Sequence, residues 1–322
     1  MRVVITGGSG LIGRALARNL GQDGHDAVIL TRDPDRAGNL PPGVRAARWD
    51  GRTAQGWTSL LDGDSAIVHL AGESVGEGRW TAEKKRRIRD SRVVSGQAVM
   101  DAIREAPVKP AVLIQSSAVG YYGGRGDEII PEDTPPGRDF LAQVCQEWEA
   151  STAEAESLGV RRAVVRTGIV LARDGGALPA MSLPFKMMIG GPIGDGRQWF
   201  PWIHIDDEVG ALRFLLEKET ARGVFNLSAP HPVTNRELTR VLAKTLGRPG
   251  FLPAPGFALR IALGEFASSL LEGQRAVPSR LLELGYVFRW PDLEPALRNL
   301  LDGAAPPSPG GRGGDGRGGP GG

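Results

Sequence analysis

Val3-Val4-Ile5-Thr6-Gly7-Gly8-Ser9-Gly10-Leu11-Ile12-Gly13 opens the chain and decides its fold. A short apolar, β-branched run leads into glycines at Gly7, Gly10 and Gly13, and Leu11, Leu16 and Leu20 then fall on roughly one helical face. This is a strand, a glycine turn and a helix. Gly7 permits the tight turn, Gly10 lets backbone N–H groups approach a pyrophosphate, and Gly13 lets the helix pack against the strand. Gly7, Gly10, Leu11, Ile12 and Gly13 are therefore the expected cradle for a dinucleotide. In a chain with 46 glycines the spacing alone would say little; its position between an apolar strand and an amphipathic helix gives it meaning.

Working outward, apolar runs at Ala27 to Thr31, Ala66 to Leu70, Ala111 to Ser116 and Ala163 to Thr167 predict further strands. Leu11 to Leu20, Ala82 to Glu105 and Asp139 to Leu158 carry apolar residues at three- and four-residue steps and predict helices between them. Strands that are continuously apolar belong to a sheet covered on both faces, hence a parallel one. The expected fold class is α/β, a Rossmann-type doubly wound parallel sheet with a smaller C-terminal substrate domain. Residues 1–167 form the expected nucleotide-binding domain, with the sheet completed by about 203–228. Residues 168–202 and 229–302, where composition turns Gly/Pro/Met-rich and then helical, form the smaller domain. Residues 303–322 are almost wholly Gly, Pro, Ser and Arg and are expected to be disordered.

Several function classes are disfavoured by the 322 residues as a whole. Lys and Arg number 39 against 37 Asp and Glu, a net charge of +2 that gives no electrostatic case for nucleic acid or an anionic membrane. A single cysteine, Cys145, allows no internal disulfide and fits a reducing compartment. Four scattered histidines lack metal-ligand spacing, so no metal is expected. No segment approaches the roughly 18 apolar residues of a membrane span, and Met1 runs directly into the first strand, so a cytoplasmic location is expected.

The end of the second strand reads Leu30-Thr31-Arg32-Asp33-Pro34-Asp35. An NAD site usually has an acid there for the ribose hydroxyls; here Thr31 takes that place and Arg32 follows. A guanidinium suits a phosphate dianion, so NADP is expected over NAD, the alternative being that Asp33 or Asp35 turns back to the ribose. Arg92, on a helix face shared with Ile88 and Ser95, and Arg166, closing the strand Ala163-Val164-Val165, are assigned to the cofactor or an anionic substrate. Salt bridges to Asp or Glu are the alternative for both. Leu70, Ala71 and Gly72 form a small-residue turn at the same sheet edge, while His69 reads as a core histidine. Between Phe185 and Trp202, glycines with Arg197, Gln198, Trp199 and Phe200 make either a mobile cover over the nicotinamide or an interdomain hinge with interface aromatics. His204 reads more naturally as structural.

With these motifs assembled, the chain resembles the extended short-chain dehydrogenase/reductases of the NAD-dependent epimerase/dehydratase superfamily, and more narrowly their atypical "epimerase family" group. Ser117-Ala118-Val119-Gly120-Tyr121-Tyr122-Gly123, Gly190 to Gln198, Trp202 to Asp207 and Leu271 to Gln274 carry the likeness besides the opening motif. The resemblance implies an NADP site near Thr31, Arg32, Leu70, Ala71, Arg92 and Arg166, and a small C-terminal domain for a substrate. It also exposes a departure. Short-chain dehydrogenases use a Tyr-x-x-x-Lys pair, whose lysine lowers the phenol's pKa for proton exchange. None of the three tyrosines, Tyr121, Tyr122 and Tyr286, has a lysine four residues on, and Leu141 and Cys145 stand at the vacant positions. Ser117, Tyr121 and Tyr122 are the remaining catalytic candidates, with Arg125 a conceivable activating cation; packing at the cleft wall is their bland alternative. His204, Glu73, Asp206 or Asp207 could supply the proton instead. The expected function is an NADP-binding oxidoreductase or epimerase-like enzyme with a small-molecule substrate. The alternatives are a catalytically silent NADP(H)-binding sensor or scaffold and an NAD-dependent sugar-nucleotide epimerase.

Overall fold

Seven strands lie in one parallel sheet: β1 (Arg2–Thr6), β2 (Asp26–Thr31), β3 (Val44–Arg48), β4 (Ser65–His69), β5 (Val112–Ala118), β6 (Arg161–Thr167) and β7 (Gly223–Leu227). This computed structural model describes residues 1–306 except Asn39, so residues 307–322 of the expected tail lie outside the described part. The strand order β7-β6-β5-β4-β1-β2-β3 reverses direction at β1, as in a doubly wound Rossmann sheet. Helices α1 (Leu11–Gln22), α2 (Ala82–Glu105) and α3 (Phe140–Ala150) follow β1, β4 and β5. Val3 and Ile5 pack with Leu16 and Leu20 of α1, whereas Val4 packs with Val28, Val99 and Ile103 on the opposite face. That two-sided burial is why β1 has no polar alternation.

Two elements depart from expectation. β3 (Val-Arg-Ala-Ala-Arg) is an edge strand whose arginines stay exposed, so it lacks the apolar signature of its neighbours. The helix expected from Asp139 to Leu158 stops at Ala150. Ser151 Oγ bonds the Trp148 carbonyl and Thr152 Oγ1 bonds Gln115, side-chain bonds that compete with helix continuation.

The remaining helices are α4 (Ala177–Lys186), α5 (Ile205–Glu217), α6 (Asn235–Leu246), α7 (Gly256–Leu263), α8 (Phe266–Leu271), α9 (Ser279–Glu283) and α10 (Leu293–Asp302). α5 returns to the sheet beside α1, whereas α4, α6 and α10 enclose a separate core around Phe185, Trp202 and Trp290. Phe266 of α8 reaches back across the sheet's carboxyl edge to Trp80, which also meets Phe140 of α3. No described helix is long and apolar enough to cross a membrane.

Candidate cofactor and catalytic site

The glycine turn is built so tightly that side chains are excluded from it. Gly7 is left-handed (φ 66°), and a Cβ there would lie 2.8 Å from the Leu70 carbonyl carbon. A Cβ on Gly8 would strike Ile29, and one on Gly13 would strike the Gly7 carbonyl oxygen, each at 2.5 Å. Turn, helix and β2 are thereby pressed together. Thr6 Oγ1 accepts from the amides of Leu70 (3.1 Å) and Ala71 (3.2 Å), pinning the β4 exit beside the turn. Among the described residues no side chain caps α1, and its first turn holds no acid, so the Leu11, Ile12 and Gly13 amides and the positive helix end are left for an anion.

At the end of β2, Thr31 Oγ1 accepts from the Asp33 amide, and Arg32 is exposed. β3 adds a residue that sequence reading missed. Thr31 is paired in register with Arg48, whose guanidinium donates to the Arg32 carbonyl at 3.2 Å. Two cations thus flank the place where an acid would select NAD. Arg48 lies 16 residues beyond Arg32 in a weakly apolar segment, and only the strand register reveals it.

Arg92 lies half-buried beneath the β4 exit. Its Nη1 donates to the carbonyls of Glu73 (3.1 Å) and Ile88 (2.9 Å), and its guanidinium stands 5.0 Å from the Trp148 ring. Among the described residues it has no carboxylate at ion-pairing distance, and burial lowers its pKa. The salt-bridge alternative therefore fails for Arg92, and a charge left so poorly compensated is suited to an anionic group. A Cβ at Gly72 would sit 3.1 Å from its Cζ, so a larger residue there would collide with it. His69 is a core histidine: Trp148 Nε1, which can only donate, approaches Nε2 (3.3 Å), so the ring proton lies on Nδ1 facing Thr6 Oγ1 (2.7 Å). Burial, then the charge of Arg92, lowers its pKa to about 3 and keeps it neutral.

Arg166, expected at the cofactor or an anionic substrate, is engaged by protein groups in this structure. It is 3% exposed and holds Glu149 in a fork, Nε to Oε1 at 2.8 Å and Nη2 to Oε2 at 2.9 Å. Burial opposes its charge, but Glu149 outweighs that and raises its pKa. Nη1 donates to Tyr122 Oη (3.0 Å) and the Glu132 carbonyl (3.2 Å), so the salt-bridge alternative describes this residue. Tyr122, expected as a catalytic candidate, belongs to the same buried cluster. It is fully buried, donates to Asn226 Oδ1 at 2.7 Å, and burial pushes its pKa up to about 12. Ser117 is likewise buried and donates to Glu149 Oε1 at 2.6 Å, a positioning bond rather than an exposed hydroxyl.

Tyr121 differs from both. It is partly exposed, its ring lies 3.3 Å under the Arg166 guanidinium, and its hydroxyl makes no hydrogen bond among the described residues. Arg125 is occupied by Tyr122 O, Glu128 and Pro135 O. Leu141 lies against Gly120, and Cys145 is buried with its pKa pushed up to about 11, chiefly by burial. Neither can relay a proton at neutral pH. Trp199 donates to Asp127 and stacks with Arg275 (4.2 Å), while Gln198 donates to Ile193 O and Leu270 O; these residues fill the junction with the C-terminal segment. His204 caps α5 by accepting the Asp206 amide and faces Asn299 (3.1 Å); burial, the largest influence, lowers its pKa to about 4.

The sheet order and glycine cradle have counterparts in known proteins. The chain is 40% identical over 303 residues to an Arabidopsis thaliana protein named "Epimerase family protein SDR39U1 homolog, chloroplastic", spanning 94% of this chain and 87% of that one. It is 39% identical over 296 residues to an epimerase family protein of Mycobacterium leprae, covering 92% and 94%. The crystal structure of human epimerase family protein SDR39U1 (isoform 2) with NADPH superposes with a TM-score of 0.84 at 35% identity, over 94% of this chain and all of that one. Residues 254–300, from α7 to α10, match a domain of unknown function. Residues 3–228, which run from within β1 through β7 and so contain all but the first residue of the parallel sheet, match the model of the NAD dependent epimerase/dehydratase family, and the chain belongs to that family.

Proposed function

We propose that this protein is an NADP(H)-dependent oxidoreductase acting on a small carbonyl or alcohol, with Tyr121 in place of the usual tyrosine–lysine pair. The observation that carries the cofactor assignment is the glycine turn before an uncapped helix, with Arg32 and Arg48 at the neighbouring strand ends. The turn's amides would hold the pyrophosphate, and the two guanidiniums would hold a 2'-phosphate in preference to bare ribose hydroxyls. The binding of NADPH by the human relative supports the same reading. Bound nicotinamide supplies hydride exchange, and the protein supplies orientation and a proton. Arg92 would hold an anionic group of the cofactor or substrate, and Tyr121 would exchange the proton.

Fluorescence titration tests the cofactor reading. Arg32→Ala and Arg48→Ala should each weaken NADPH by about 1.5–3 kcal/mol, the worth of a charged hydrogen bond, and leave NADH unchanged. Equal loss for both cofactors would overturn it. Leu141 and buried Cys145 favour a second reading, a catalytically silent NADP(H)-binding protein. Oxidation of NADPH during a panel of carbonyl compounds decides between them: turnover lost in Tyr121→Phe supports the enzyme, and tight binding without turnover supports the silent protein.

A further inference from the structure

Eight of the thirteen large apolar side chains exposed among the described residues fall in two short stretches, residues 183–189 and 251–261. Met187 (60% exposed) and Met188 (53%) leave the end of α4; Phe251 (79%), Phe257 (68%) and Ile261 (72%) lead into and along α7. The stretches are joined in space: the Leu252 amide donates to Gly190 O (3.1 Å), the Ala254 amide to Pro192 O (2.8 Å), and Arg248 Nη1 reaches Met188 Sδ (3.8 Å). No described side chain of α7 is buried, although the helix is mostly apolar. Met188 is also the one non-glycine residue with positive φ (65°) among those described, a strained conformation at an exposed apolar tip.

The charge of this region is one-sided. Residues 175–194 and 238–264 contain no Asp or Glu. Of their cations Lys244 is paired with Glu294 (2.8 Å), while Lys186, Arg240, Arg248 and Arg260 have no carboxylate at ion-pairing distance among the described residues. The net charge of the molecule conceals this local excess. We propose that the end of α4 and α7 form a docking surface for an anionic lipid bilayer, with the apolar side chains entering the headgroup boundary and the cations meeting lipid phosphates. A second copy of the chain fits less well, because a twofold interface would set this cationic patch against itself. An internal substrate fits less well because these side chains point into solvent.

Co-sedimentation with vesicles tests the proposal. The full chain should partition onto phosphatidylcholine vesicles containing phosphatidylglycerol, be released by high salt, and ignore pure phosphatidylcholine. Met188→Ser combined with Phe251→Ser should abolish partitioning, and Lys186→Ala or Arg248→Ala should each lower it about fivefold, the worth of one surface cation. Unchanged melting curves and NADPH affinity would show that the variants remain folded. Absence of binding to either vesicle, equal binding to both, or a concentration-dependent dimer that the serine variant dissolves would overturn the proposal.

Discussion

Tyr121 and Tyr122 are adjacent, yet they answer to different physics. Tyr122 is walled in by Asn226 and Arg166, so Tyr122→Phe leaves buried partners unsatisfied and should cost about 1–3 kcal/mol of stability in denaturant titration. Tyr121→Phe removes a hydroxyl with no described partner and should leave stability unchanged, any effect appearing in turnover. Glu208 poses a separate test. It is fully buried, Thr167 Oγ1 (2.9 Å) serves one oxygen, the other has no partner among the described residues, and burial pushes its pKa up to about 8. Between the ordinary carboxyl value and about 8 the folded protein keeps a proton that the unfolded chain has released, so stability falls as pH rises through that interval. Glu208→Gln should flatten the decline in Tm between about pH 5 and about pH 9, leaving the smaller contribution of Asp207, which burial raises to about 6.

At the scale of elements, the ion pair of Glu149 with Arg166 joins α3 to β6. Replacing either partner alone should cost about 3–5 kcal/mol in denaturant titration, because a charge is stranded in the interior, while an apolar pair in both positions should recover most of it. The sequence offered a salt bridge for Arg166 only as an alternative and with no partner named, since Glu149 is separated from it by the end of α3 and a turn. What could be read from sequence follows the same logic. β1, β2, β4, β5 and β6 announced themselves because both faces of each are buried, and the glycine turn because crowding forbids side chains. β3 and Arg48 did not, because an edge strand faces water and its register comes from its neighbour. The placement of Arg166 and Ser117 depended on which side of β6 and β5 each faces, and alternation along a wholly buried strand leaves no polar mark of that choice; Tyr122 sits in the 3-10 turn after β5, whose inward face the sequence does not mark either.

For the whole molecule, the glycine cradle, the β2–β3 cations and Arg92 converge on the carboxyl edge of the sheet, where β1 and β4 diverge and doubly wound folds hold ligands. The apolar, cationic surface of α4 and α7 belongs instead to the region outside the sheet, so binding there can be abolished without disturbing the cradle. The chain's lone thiol has a practical consequence. Cys145 lies inside α3 between Arg92 and Ser117, shielded and poorly ionised, so alkylating reagents will reach it only when that helix parts from the sheet. The native polypeptide thus carries its own single-site clock for breathing motions at the cleft, readable by maleimide mass tagging without engineering a label.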